Sequence, residues 1–266
     1  AQGFYDRLAA AREAAVRASS LDQQSLRTIA LAHQVCPYYL SQDLVRWSDV
    51  VVGDYNYYFD TSAMLYGLTV ENDWRTAVLV DEAHNMVERA RKMYSAELTQ
   101  SSFRVARKSA PKSLRTVLDR VNRLWNDLYR DQETEYAVYH AIAEKFLFAL
   151  QQAGTDITDL MTDEPDSVSP ELQRFYFDAM QFSKLAEVFG EHSMFDITRS
   201  MSLASKPQAT LCIRNIVPAP FLKQRFTTAH TVTLFSATLG PHHFYADMLG
   251  LPDDTAWGDV CLLYTS

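Results

Sequence analysis

The stretch Ala77-Val78-Leu79-Val80-Asp81-Glu82-Ala83-His84-Asn85 constrains the fold of this chain more than any other. A short Val/Leu run ends abruptly in two carboxylates, a small residue and a histidine. Such a continuous apolar run reads as a strand of a parallel sheet, buried on both faces. Open α/β sheets bind ligands beyond the carboxyl ends of their strands. Asp81 and Glu82 are thus delivered to the rim, where a metal–nucleotide complex can meet them. An aspartate there can hold Mg²⁺, and the adjacent glutamate can polarise an attacking water. The same letters also describe a strand running into an acidic helix N-terminus, which the helix dipole favours. Only the rest of the chain decides between the two.

A second apolar run, Thr231-Val232-Thr233-Leu234-Phe235, ends in Ser236-Ala237-Thr238-Leu239-Gly240-Pro241. Upstream, Asp49-Val50-Val51-Val52-Gly53-Asp54 is a further strand candidate, followed by the aromatic run Tyr55-Asn56-Tyr57-Tyr58-Phe59-Asp60, a helical stretch over 61–68 and a turn at Glu71-Asn72-Asp73. Strand, helix and strand in succession are the pattern of an α/β sheet. Residues 4–34 read as two helices with a break near Ser19-Ser20. Pro37 then stops the helix and frees Cys36, and Ser41–Trp47 is a further helical turn.

From Asn85 to Ala204 the character changes. Leu114, Val117, Leu118, Val121, Leu124, Trp125 and Leu128 share one helical face, as do Tyr136, Tyr139, Ala143, Phe146, Leu147 and Leu150. A third stripe runs from Leu172 to Phe189, opened by Ser169-Pro170-Glu171 as cap, first-turn proline and first-turn acid, and closed by Gly190. Residues 162–167 read as a polar linker. The aromatic stripes are most simply core packing. The sheet signal returns after Lys206-Pro207 with Thr210-Leu211-Cys212-Ile213. Strands on both sides of the helical block imply that the block is inserted into one α/β domain.

Composition narrows the class. The 266 residues carry a formal charge of −8, which argues against a surface coated in positive charge but leaves room for a local basic groove. No run of eighteen apolar residues is present, and the first residues lack the basic-then-apolar pattern of a signal peptide. Three widely spaced cysteines, Cys36, Cys212 and Cys261, argue against a disulfide scaffold and for a reducing, cytoplasmic setting. His33, His140, His192, His242 and His243 show no metal-like spacing. Both ends of the chain read as cut.

Asp81-Glu82-Ala83-His84 at one strand end and Ser236-Ala237-Thr238 at another form the pair that matters. Small hydroxyl residues can hydrogen-bond to His84 or to the carboxylates without filling the space. Together with Cys36-Pro37-Tyr38-Tyr39, Asp49–Val52 and Tyr55–Asp60, in this order, they make the chain resemble the XPD/DinG family of iron–sulfur DNA helicases, with the bacterial DinG-like branch the nearer one. The resemblance implies a P-loop NTPase (RecA-like) motor domain, partial, with a large all-helical arch insertion. It implies the end of an iron–sulfur domain at 1–36, the first part of motor domain 1 at 37–90, the arch at 91–206, and the return of motor domain 1, with the start of a linker, at 207–266. It also implies an ATP-driven 5′-to-3′ motor acting on single-stranded DNA, with ATP and Mg²⁺ at Asp81, Glu82 and His84. Ser236, Ala237 and Thr238 would be the coupling segment, and Cys36 the last of four ligands of a [4Fe–4S] cluster.

The sequence departs from the family in what it lacks: no G-x-x-x-x-G-K-[ST] loop occurs, only Cys36 fits the four cysteine ligands, the other three being expected upstream of Ala1, and the second motor domain with its arginine fingers is expected downstream of Ser266. Arg46, Trp47, Tyr55 and Tyr57 are the DNA-contact candidates, since aromatics stack on bases and cations hold phosphates; core packing is the competing role. Two alternatives remain: a non-catalytic helical interaction module with a vestigial acidic box, and a DEAH-type RNA helicase. In the latter the Ser-Ala-Thr segment follows the box closely, whereas here the helical insert separates Asp81 from Ser236.

Overall fold

A computed structural model describes residues 3–18, 20–201 and 207–260, which fall into two compact units, 1–74 and 75–266. Cys261, and the stretch 202–206 where the sequence places the end of the insert, lie outside the described residues.

The first unit is helical. Helix α1 (Phe4–Val16) buries Ala11 and Ala15, and α2 (Gln23–Ala32) is capped by the Asp22 carboxylate, which accepts from Ser25 N at 2.8 Å. Ser25 N is one of the orphan donors of a first turn, so this cap fixes where α2 begins. Pro37 does not stop a helix. It occupies the first turn of α3 (Pro37–Leu44), where its missing N–H costs nothing, and Cys36 is the residue before it. A short 3₁₀ turn, Val45–Trp47, continues α3. Leu40 and Leu44 pack with Ala11, Ala15 and Ala30 as the small core of this unit. The aromatic run folds as α4 (Asn56–Phe59), burying Tyr58 and Phe59, and α5 (Met64–Glu71) follows three residues later than the composition suggests.

Residues 49–54 are not a strand. Val50 and Val52 are 80% and 94% exposed, and the described residues offer this segment no ladder partner. β-propensity measures the fit of a side chain to a pleated, half-buried surface. Without a neighbouring strand that surface does not exist.

The second unit opens with β1 (Ala77–Val80), a 3₁₀ turn over Ala83–Asn85 and α6 (Met86–Met93). Then come β2 (Ala96–Thr99), α7 (Gln100–Ser109), α8 (Arg115–Asp131) and β3 (Tyr136–Tyr139). Next are α9 (Glu144–Asp163), α10 (Pro170–Glu187), β4 (Ser193–Met201) and β5 (Pro207–Asn215). The unit closes with α11 (Ala219–Thr228), β6 (Thr231–Leu234) and α12 (His242–Leu249).

The insert is therefore not all-helical. It contributes strands to a four-stranded antiparallel sheet of order β2-β5-β4-β3. Tyr136 and Tyr139, which fit a helical stripe with Ala143 and Phe146, lie on β3 instead, because a spacing of three or four over so short a run does not separate the two periods. β5, expected to join the returning motor sheet, pairs with β2 and β4. Its alternation shows why: Ala209, Leu211 and Ile213 face the same core as Phe195 and Ile197 of β4.

Helices α7 to α10 cover that face. Trp125 is fully buried, stacks on Phe103 at 5.3 Å, meets Phe146 edge-on and donates its indole N–H to the Ala209 carbonyl at 3.1 Å. The expected cap of α10 forms, with Ser169 Oγ accepting from Leu172 N. On the opposite sheet face the Asp196 carboxylate, 2% exposed, is held by Arg214. Burial, with the Asp196 charge added, pushes the neighbouring Cys212 thiol up to about 11. No described helix is long and apolar enough to cross a membrane.

Two substitutions separate the supported core from the unpaired segment. Trp125→Ala removes a buried ring and a hydrogen bond and is expected to cost about 3–5 kcal/mol by urea unfolding. Val50→Ser is expected to change stability by less than about 0.5 kcal/mol. A large destabilisation at Val50 would mean that 49–54 is packed as a strand after all.

Candidate nucleotide-hydrolysis site

β1 and β6 are parallel neighbours despite the 150 residues between them, with Ala77 opposite Thr231 and Val80 opposite Leu234. This register carries the two segments that follow the strands to the same edge. The ladder continues past the strands: Phe235 N donates to the Val80 carbonyl at 3.0 Å, and Ala83 N to the Phe235 carbonyl at 3.1 Å. β1 is less enclosed than its sequence suggests. Val80 is buried, whereas Leu79 is 72% exposed in this two-stranded sheet.

At that edge Asp81 turns its carboxylate back on the chain and accepts from Glu82 N at 2.7 Å. Glu82 has φ 49°, in the left-handed region. For a residue with a Cβ this costs roughly 1–3 kcal/mol, and such positions cluster where function requires them. The Glu82 carbonyl accepts from Asn85 N at 2.9 Å, closing the 3₁₀ turn, and the fully buried Ala83 leaves no room for a larger residue. The chain thus breaks sharply from strand to helix and leaves the Glu82 side chain at the rim, 61% exposed.

His84 Nδ1 lies 2.7 Å from Ser236 Oγ and 3.1 Å from Glu82 Oε2. A carboxylate only accepts, so a proton on Nδ1 satisfies this arrangement. Ser236 Oγ also accepts from Thr238 N at 3.3 Å, which fixes the turn after β6. A continuous polar chain therefore runs from Glu82 through His84 and Ser236 to the Thr238 backbone.

The sequence singles out six residues here. Of these, the structure places Asp81, Glu82, His84 and Ser236 in one hydrogen-bonded run, with Thr238 joined through its backbone and Ala237 between them. The supports of this run were not legible. Arg91, on the helix after the box, donates to the Ile216 carbonyl at 2.9 Å; Ser95 Oγ accepts from Asn215 N at 2.9 Å. Tyr94 stacks on Phe221 at 4.3 Å and its hydroxyl accepts from Arg225 Nε at 3.3 Å. Only the amphipathic spacing of α6 hints at them.

In the first unit, Arg46 is half exposed and 3.9 Å from Glu71. Trp47 is 64% exposed beneath the Arg12 guanidinium, 5.4 Å from its ring centre. Tyr57 is exposed and Tyr55 half-buried. Cys36 is an exposed free thiol. A [4Fe–4S] cluster takes four thiolates. The described residues include no group of three or more His, Cys, Asp or Glu able to hold a metal, so a cluster does not fit on these residues.

Glycine adopts φ 49° without a Cβ penalty. Glu82→Gly is accordingly expected to keep stability or raise it by up to about 1 kcal/mol, even though it deletes a carboxylate of the candidate site. Thermal unfolding checks this; a clear destabilisation would mean that Glu82 is held for packing.

Several known proteins are similar to this chain. Residues 3–103 match the DEAD_2 family model. The chain is 32% identical over 119 residues to the regulator of telomere elongation helicase 1 homolog of Anopheles gambiae, covering 44% of this chain and 12% of that protein. It is 35% identical over 80 residues to the human regulator of telomere elongation helicase 1, covering 30% and 6%. To the ATP-dependent DNA helicase CHL1 of Candida albicans it is 26% identical over 102 residues, covering 38% and 12%. The chain thus spans 12% or less of these curated relatives. Among solved structures, an XPD helicase aligns over 86% of this chain and 39% of its own, with TM-score 0.54 and 19% identity. A truncated XPD aligns over 91% and 68%, with TM-score 0.57 and 16% identity. At these identities the two structures speak for the fold alone.

Proposed function

We propose that this chain, which belongs to the XPD-like helicases of superfamily 2, is part of the ATP-hydrolysing motor of a DNA helicase that moves 5′ to 3′ on single-stranded DNA in repair or replication. The observation that carries the reading is the His84–Ser236 hydrogen bond of 2.7 Å, which joins the acidic box to the Ser-Ala-Thr segment across 152 positions of sequence. A merely acidic helix start has no use for that partner.

In this reading Asp81 holds the Mg²⁺ of a bound Mg–ATP, whose γ-phosphoryl group is the one transferred to water. Glu82 takes a proton from the attacking water, and its αL backbone keeps the carboxylate clear of the sheet. His84 touches both Glu82 and Ser236, so a change at the carboxylate alters the hydrogen bond to β6. Ser236, Ala237 and Thr238 pass that change along the chain. Arg46, Trp47, Tyr55 and Tyr57 are proposed as DNA contacts on the first unit, where the exposed Trp47 and Tyr57 rings suit stacking on bases. The DinG-like branch rests on the sequence resemblance, and the free thiols of Cys36 and Cys212 among the described residues suit a reducing, cytoplasmic compartment. No step is assigned to an iron–sulfur cluster.

Phosphoryl transfer of this type also needs a backbone cradle with its lysine, which the 266 residues lack. The isolated chain is therefore expected not to turn over ATP. In a parent protein that contains the phosphate loop, Glu82→Gln is expected to lower DNA-stimulated hydrolysis on the order of 10²–10⁴-fold while ATP binding persists. Near-normal turnover in that variant would overturn the assignment.

A further inference from the structure

The four-stranded sheet of the inserted module ends on β3, whose one ladder partner among the described residues is β4. The phase of that ladder fixes where the other backbone groups of β3 point. Arg199 N donates to the Glu135 carbonyl at 2.7 Å. Antiparallel pairs alternate between hydrogen-bonded and non-hydrogen-bonded, so Glu135, Ala137 and Tyr139 turn their backbone toward β4. Tyr136 and Val138 turn theirs to the open edge. The Tyr136 carbonyl accepts from Thr134 Oγ at 2.9 Å and keeps a second lone pair. The side chains of Tyr136 and Val138, 51% and 43% exposed, stand on the same sheet face as Asp196, away from the helices.

An open edge of this kind is a template for another strand, and proteins blunt it with lysine, proline, a bulge or a covering element. At the other end of the sheet α10 packs against β2, and Gln181 Nε2 donates to the Ser95 carbonyl at 3.4 Å. Tyr136-Ala137-Val138-Tyr139 carries neither a charge nor a proline. The strand is also held in place. Gln132, 3% exposed, donates to the Ile197 carbonyl at 3.1 Å and accepts from the Tyr139 hydroxyl at 3.1 Å. The Arg199 guanidinium lies over the Tyr129 ring at 4.3 Å. The edge therefore loses little freedom when a strand joins it. Charge then selects the incoming strand. Glu133 and Glu135 precede β3, and His140 follows it. With Ala137 on a two-fold axis, antiparallel self-pairing sets Tyr136 opposite the partner's Val138. Glu135 then lies opposite the partner's Tyr139, and Thr134 opposite the partner's His140, so no acid meets an acid. A parallel pairing would set Glu135 against its own copy, and like charges directly opposite are destabilising.

We propose that β3 is a self-association edge: two copies of this chain pair antiparallel through Tyr136 and Val138 and join their sheets across a two-fold axis. Tyr136 and the partner's Val138 exchange both backbone hydrogen bonds, and the symmetry repeats the exchange. Their side chains form an aromatic–β-branched pair on the open face, a favourable cross-strand combination. The two Ala137 residues meet at the axis as a non-hydrogen-bonded pair, the closer-spaced kind, which their small side chains admit. The contact is isologous and closes on itself, so it makes a dimer and not a fibre. An edge of four residues buries far less than the roughly 1,200–2,000 Å² of a stable interface. The dimer is accordingly weak, with a Kd on the order of 0.1–1 mM.

Sedimentation velocity of the 266-residue chain between about 10 and 500 µM reads the association directly, as a sedimentation coefficient that rises with concentration. Val138→Pro removes an outward N–H and no bond to β4, a position where an edge strand tolerates proline. Val138→Lys places the usual edge-blocking side chain at the same point. Each is expected to weaken association at least about tenfold with an unchanged melting curve, and the lysine variant carries the test if the proline variant does not fold. Cross-linking reads the register, in a Cys36→Ser/Cys261→Ser background with oxidised glutathione. Ala137→Cys is expected to form a disulfide dimer, because the Cα atoms of such a pair lie about 4.5 Å apart. Val138→Cys is expected not to, because its own copy is a diagonal neighbour about 7–8 Å away. A chain that stays monomeric throughout would overturn the proposal. So would a folded Val138→Lys variant that associates like the wild type, or Val138→Cys cross-linking as readily as Ala137→Cys.

Discussion

The backbone ladder between 77–80 and 231–234 holds the second unit in its working form. Parallel pairing of β1 with β6 fixes which residues follow each strand at the common edge. A slip of one residue would turn Val80 outward and separate His84 from Ser236. The hydrogen bonds at Phe235 and Ala83 extend the pairing into the turn, so that the box begins where the ladder ends. The strain at Glu82 is tolerated because that turn is determined from both sides.

A second layer of contacts ties the box to the inserted module. Helix α6 leaves the box and is fastened to the stretch after β5, by Arg91 on Ile216 and, just past its end, by Ser95 on Asn215. The same stretch leads through α11 to β6. The insert is therefore anchored at both of its roots to elements that carry the candidate site. The module has its own core, centred on Trp125 and the inner faces of β4 and β5, and needs nothing from β1 or β6 to bury it.

The strand ends were legible in the sequence because chemistry and pattern coincide there. The Val/Leu run, the two carboxylates and the distant Ser-Ala-Thr each announce a strand end, and their partnership follows once both strands belong to one sheet. The helices α8 and α10 were equally legible, from long apolar stripes and, for α10, from its Ser-Pro-Glu opening. Short elements were not. Val50–Val52 look like a strand but have no ladder partner among the described residues, and Tyr136–Tyr139 look like part of a helix but pair with β4. Pairing is non-local, and a four-residue run does not contain it. The α6 anchors were hidden for the same reason, since they bond to backbone atoms more than a hundred residues away.

The most direct test of the account is a double-mutant cycle between His84 and Ser236, read by urea unfolding of the 266-residue chain. His84→Ala, Ser236→Ala and the pair together isolate the bond that joins the two motifs. A coupling of about 0.5–1.5 kcal/mol is expected, the net worth of a partly buried hydrogen bond. Effects that add to within about 0.3 kcal/mol would mean that the box and the Ser-Ala-Thr segment are neighbours without being partners, and the proposed link between them would fall.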